Sequence, residues 1–189
     1  MRLARPIARL FVGGLFFGHG AQKLFGWFGG PGLDGTTQMM EKLEMRPARR
    51  NAIAAGAAEA GGGALIALGA FTPLAASALI GTMVTAIRKF HLAKGFWNTG
   101  GGYEFNLTLV AALLLLVEEG PGPLSVERTL GRERRGAYWA LAALAAGAAG
   151  SAAAVAVGEM ESAAEAEPLA NFSAPSSIAP RRIVRMSNR

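Results

Sequence analysis

Residues 7–28, IARLFVGGLFFGHGAQKLFGWF, decide the fold. Coiled as an α-helix this run is about 33 Å long, enough to cross a hydrocarbon core about 30 Å thick. It follows Arg2 and Arg5 and ends on Gly29, Gly30, Pro31 and Gly32, a cluster that stops a helix. Basic residues ahead of an apolar run resemble a signal sequence, but no small-residue cleavage site follows cleanly. The run is therefore expected to remain as an uncleaved first membrane helix.

Outward from this helix the same pattern recurs. Residues 36–43 read as a short amphipathic piece in a loop reaching Arg50, and residues 51–71, rich in Ala and Gly, as a second span. The stop at Phe71, Thr72 and Pro73 is so tight that a third span, residues 73–90, must return antiparallel beside the second. After an aromatic and glycine-rich loop, residues 103–117 form a short fourth span closed by Glu118, Glu119, Gly120 and Pro121. Residues 137–158 are long enough to cross again but weakly hydrophobic, because alanine drives insertion far less than leucine. The expected architecture is all-α: an antiparallel four-helix transmembrane bundle over residues 1–127, a basic loop and fifth transmembrane helix over 128–158, and a flexible or partner-binding tail over 159–189. Small residues at helix-packing spacing, Gly14 with Gly18, Gly56 with Ala60 and Gly147 with Ser151, are expected to seat helices against one another.

Composition agrees. Of 189 residues 51% are hydrophobic and 17% charged, far less polar than an ordinary soluble domain. The net charge of +6 would suggest nucleic-acid binding in a soluble chain. Here the basic residues cluster at span ends and loops (Arg2, Arg5, Arg9; Lys42, Arg46, Arg49, Arg50; Arg128, Arg132, Arg134, Arg135), where helix-flanking charges belong, and no nucleic-acid partner is expected. The absence of cysteine excludes disulfides, thiolate nucleophiles and iron–sulfur ligation within the chain.

Ionisable groups inside a span cost about 2.5–3.5 kcal/mol at its centre, so each needs a reason. If the first helix runs from side A to side B, Lys23 and His19 lie about 7 and 14 Å below the B surface and Glu59 about 12 Å below it. Arg88, His91, Glu104 and Asn106 also fall at the B ends of their spans. His19, Gln22, Lys23 and Gly26 follow i, i+3, i+4, i+7 spacing and share one helix face. Glu59 is the natural counter-ion for Lys23 or acceptor for His19, and Arg88 with Glu104 forms an expected second pair. The bland reading is that these pairs fix helix register while Lys23 and Arg88 snorkel. The functional reading is a cleft opening to side B, with candidate ligand-binding residues His19, Gln22, Lys23, Glu59, Arg88, His91, Trp97 and Glu104. Phe25, Trp27, Phe90, Phe96 and Tyr103 join Trp97 as its walls, or serve as an interfacial aromatic belt. Two histidines are too few for a zinc site, so no metal is expected.

Four segments carry a family resemblance. GHGAQKLFGWFGG at 18–30, AEAGG at 58–62, GGYE at 101–104 and GPGPLSV at 120–126 occur in the order found in the DoxX family of small bacterial membrane proteins, which the chain resembles over residues 7–127. Glu127 stands where such proteins often carry Asp, and residues beyond 127 extend past the four-helix core. The resemblance implies a multi-pass protein of the bacterial cytoplasmic membrane, associated with redox systems, some relatives resembling the membrane subunit of thiosulfate:quinone oxidoreductase. Aromatic walls and protonatable groups would suit a quinone headgroup, whose reduction needs hydrogen bonds and protons. The expected function is thus a redox-linked membrane subunit binding a quinone or other lipophilic ligand in one membrane half, with no intrinsic cofactor. The alternative is a non-catalytic accessory subunit of a larger membrane complex, with other subunits or further copies of the chain as partners. Basic residues number seven on side A and five on side B, which favours a cytoplasmic N-terminus.

Overall fold

The computed structural model describes residues 3–172. Among them there is no strand. The chain forms α1 (Ala4–Phe25), α2 (Gly32–Lys42), α3 (Ala48–Leu68), α4 (Thr72–Ala86), α5 (Glu104–Glu119), α6 (Val126–Thr129) and α7 (Ala137–Phe172). A π-helical turn, Ile87–His91, carries α4 onward, so the third helical rod covers residues 72–91.

The helices pass back and forth between two ends. End A holds the start of α1, the α3–α4 turn and the segment from α5 to α7; end B holds α2 and the loop from residue 92 to 103. α1 packs on α3, α3 on α4, and α4 on both α5 and α7. The core between them is aliphatic and aromatic: Phe16, Ile66, Leu79, Ile80, Leu113 and Val117 are fully buried. Outside it, Ile7, Leu10 and Phe11 on α1, Leu74 on α4, Leu115 on α5 and Leu141 on α7 point their side chains away from the protein. A ring of exposed large apolar residues on this scale is costly in water and natural in lipid.

Two helices, Ala48–Leu68 and Ala137–Ala164, are long and apolar enough to cross a bilayer, and only 33% and 28% of their apolar windows are buried. A core helix of a soluble protein would be mostly buried. The other expected spans fall short of that standard for definite reasons. α1 has 22 residues but includes Arg5, Arg9 and Lys23, α4 has 15 before its π-helical turn, and α5 has 16.

Three expectations change in detail. The first helix stops at Phe25, because Gly26 takes a left-handed conformation (φ 72°) and residues 27–29 form a separate 3-10 turn. The amphipathic piece is a full helix of 11 residues, α2. α7 runs to Phe172, well past the point where composition places a tail; the rest of that tail lies outside the described residues.

The glycines pack differently from their spacing. Gly14 and Gly18 face open space. It is Gly13 and Gly20 that meet α3: a Cβ on Gly20 would sit 2.2 Å from the Ala60 nitrogen, and one on Gly63 would sit 2.4 Å from that of Phe17. Backbone touches backbone there, which only glycine permits. Gly147 and Ser151 do pack, against α4: a Cβ on Gly147 would lie 2.7 Å from the Ser77 carbonyl oxygen, and the Ser151 hydroxyl donates to Thr85 Oγ1 over 2.9 Å while Thr85 donates to the Gly81 carbonyl.

Candidate functional site

Close packing of α1 on α3 through glycine brings Lys23 against Glu59, and the two form an ion pair. The carboxylate side chain is only 4% exposed and the ammonium 22%. Burying either charge alone in an apolar bundle is prohibitive, so the pairing explains how both are tolerated.

The pair lies on the wall of a cavity of about 580 Å³ toward end B. His19, Lys23, Glu59, His91 and Asn106 are among its polar groups, with Asn51, Lys89 and Asn98 nearer end B, and Met39, Met40, Met45, Met83, Phe90 and Leu109 supply much of its apolar lining. α2 roofs it with Met39, Met40 and Leu43; α7 contributes Gly147, Gly150, Ser151 and Ala154. Each imidazole is oriented by a partner on Nδ1: Gln22 Oε1 at 3.1 Å for His19, and the Gly101 carbonyl oxygen at 2.6 Å for His91. A carbonyl can only accept, so Nδ1 carries the proton and Nε2 of the neutral ring is left as an acceptor. Asn106 is 6% exposed, and among the described residues its amide nitrogen has no acceptor but the Met83 sulfur, at 3.4 Å. A thioether is a weak acceptor, so this buried amide retains hydrogen-bonding capacity that faces the cavity.

Of the eight candidate residues, the structure gathers His19, Lys23, Glu59 and His91 around one cavity, with Gln22 behind His19. Arg88, Trp97 and Glu104 are not on its wall. Arg88 and Glu104 do not pair: the π-helical turn leaves Arg88 exposed, while the Glu104 carboxylate accepts from the Asn98 backbone N–H at 3.0 Å and so closes the loop before α5. Of the expected aromatic walls, Phe90 lines the cavity; Phe25 and Trp27 are exposed, and Phe96 meets Trp97 and Tyr103 edge-on in the end-B loop. The four methionines were not anticipated, because a methionine at helical spacing reads simply as core.

Residues 4–92 match the DoxX family. Inner membrane protein YphA of Escherichia coli (strain K12) is 33% identical over 138 residues, covering 66% of this chain and 91% of that protein. The chain belongs to the DoxX family. It is thereby a membrane protein, in keeping with its lipid-facing apolar surface. No solved structure matches it.

Two of the DoxX-like segments, at 18–30 and 58–62, form the α1–α3 contact and one wall of the cavity. GPGPLSV at 120–126 does something different. Arg9, read from the sequence as a flanking charge, is 3% exposed: its Nε donates to the Ala67 carbonyl oxygen (2.9 Å), Nη1 to that of Pro121 (2.6 Å) and Nη2 to that of Leu124 (2.8 Å). Those interactions tie α1, the C-terminal turn of α3 and the 120–126 segment together at end A. Glu127, where DoxX proteins often carry Asp, accepts from the Thr72 backbone N–H at the start of α4 and from that of Arg134. This DoxX segment is a structural clasp, remote from the cavity.

Proposed function

We propose that this DoxX protein is a multi-pass protein of the bacterial inner membrane, its bundle crossing five times through α1, α3, α4, α5 and α7. It binds a quinone or similar lipophilic molecule in the end-B cavity as part of a redox-linked system. The buried Asn106 amide beside the Lys23–Glu59 pair carries this reading, because polar groups held inside an apolar cavity without a full set of partners match a ligand with a polar head. The two imidazole Nε2 atoms add acceptors suited to ring hydroxyls. At about 580 Å³ the cavity falls within the usual range for small-molecule sites.

Titration of the purified protein in lipid nanodiscs with a quinone carrying a ten-carbon alkyl chain tests the reading. His19→Ala and Asn106→Leu leave the Lys23–Glu59 pair in place and are expected to weaken binding at least tenfold each. No saturable binding by the unaltered protein, or binding by both variants as tight as that of the unaltered protein, overturns the site.

One observation favours a second role, as a non-catalytic subunit of a larger complex. α7 has 36 residues, about 54 Å of helix, far more than a bilayer requires. Truncation after residue 158 would abolish co-purification with partners if this extension holds them; unchanged association would remove it from consideration.

A further inference from the structure

The cavity is elongated along α4, from Ser77 near end A to Lys89 at end B, which is about 18 Å at helical rise. Its charged, imidazole and amide groups gather toward end B, while its far reach is walled by Ala and Gly of α3, α4 and α7 together with Ser77 and Thr82, whose hydroxyls donate to carbonyls of their own helix. α3 and α7 both pack on α4 with little contact between them, and they close up only at end B. There a Cβ on Gly158 would lie 3.3 Å from the Glu44 carbonyl oxygen, and Arg50 reaches Glu161 at 3.1 Å. Below that closure the cavity walls include Ala54, Ala78, Ala146 and Gly150, all exposed, so the slot opens sideways between the two helices while α2 roofs its end-B mouth.

We propose that this slot holds one hydrocarbon chain, so that the ligand of the cavity is a single-chain amphiphile entering sideways from the bilayer. This rests on the reading above that a lipophilic molecule with a polar head occupies the cavity. Its head would meet Asn106 and the Lys23–Glu59 pair, and its chain would run along α4 between α3 and α7. The layout argues for one small molecule over a protein occupant: the Lys23–Glu59 pair, the imidazoles and the Asn106 amide line one part of the cavity, and that part is continuous with a slot walled by Ala and Gly, which suits a ligand with a polar head and a chain. The small side chains along the slot then have a use beyond helix packing, since larger ones would fill the space the chain needs.

A palmitic acid bearing a photoreactive diazirine at mid-chain, added to the full chain in nanodiscs, tests the slot directly. Expected labelling concentrates on peptides containing Ala54 and Gly150 and falls at least fivefold in Gly150→Leu. Gly150 has no atom within 4 Å of a Cβ position, so the variant has room to fold; Gly14→Leu, equally open but on α1, is the matched control and should change nothing. Labelling spread evenly over the lipid-facing helices, or undiminished in Gly150→Leu, overturns the slot, as do disulfides between Gly150→Cys copies that displace the label. Quinone probes separate the two readings. Loss of affinity in Gly150→Leu for the ten-carbon-chain quinone but not for the same ring without its chain supports both. Slot labelling without binding of either quinone leaves the chain site standing and removes the quinone head.

Discussion

Arg9 shows how a single side chain can be misjudged from sequence and decisive in the fold. Near the N-terminus, among Arg2 and Arg5, it reads as a flanking charge, yet its guanidinium spans three carbonyls, one from α3 and two from the 120–126 segment. Only its partners, more than fifty residues away in sequence, reveal this. Arg9→Lys keeps the charge but loses the planar fork, and with hydrogen bonds from charged donors contributing about 1.5–3 kcal/mol each, the variant should lose about 2–4 kcal/mol. Thermal unfolding in detergent should register that loss, and an unchanged midpoint would contradict the clasp. Lys23 and Glu59 were legible because intramembrane charges need counter-ions and helical rise places both at one depth. Removing one partner of a buried pair costs about 3–5 kcal/mol, so Lys23→Met and Glu59→Leu should each destabilise severely. The double variant should lose less than the sum of the two, which a double-mutant cycle would read. The expected pairing of Arg88 with Glu104 failed because a π-helical turn, invisible in composition, rotates the end of the third rod.

Helix existence followed from apolar length, but which face of each helix packs did not. Gly14 and Gly18 have helix-packing spacing and touch nothing, while Gly13 and Gly20 carry the α1–α3 contact. Spacing alone fixes a face only when the neighbour's position is known. Gly20→Ala should therefore force α1 from α3, with a net loss of about 1–3 kcal/mol from overpacking. Gly14→Ala meets nothing and should gain about 0.5–1 kcal/mol from helix propensity. Equal behaviour of the two in chemical unfolding would contradict the packing. α7 was anticipated as a crossing helix, yet its part in the cavity wall was not, since residues 146–154 are distant in sequence from every candidate site residue.

At the scale of the whole molecule, the proposed five crossings would place the loops at end A and end B on opposite faces of the membrane. Because the chain lacks cysteine, single cysteines at Arg132 and Asn98 should react with a membrane-impermeant maleimide from opposite sides, and one at Glu161 from the same side as Asn98. Labelling of Arg132→Cys and Asn98→Cys from one side would break the topology. Which end faces the cytoplasm is no longer favoured by charge: Arg9 is engaged in the clasp, and Arg88 and Lys89 join the basic residues at end B. The gathering of intramembrane polar groups toward end B was legible from span boundaries and helical rise, whereas the cavity they surround needed the packing of α2, α4 and α7 around them. A cryo-electron-microscopy map of the protein extracted in native lipid tests the central claim most directly. The predicted result is one elongated density along α4, from Asn106 to the level of Ser77, between α3 and α7. A cavity with no such density, at a resolution where annular lipid chains are visible, would contradict it.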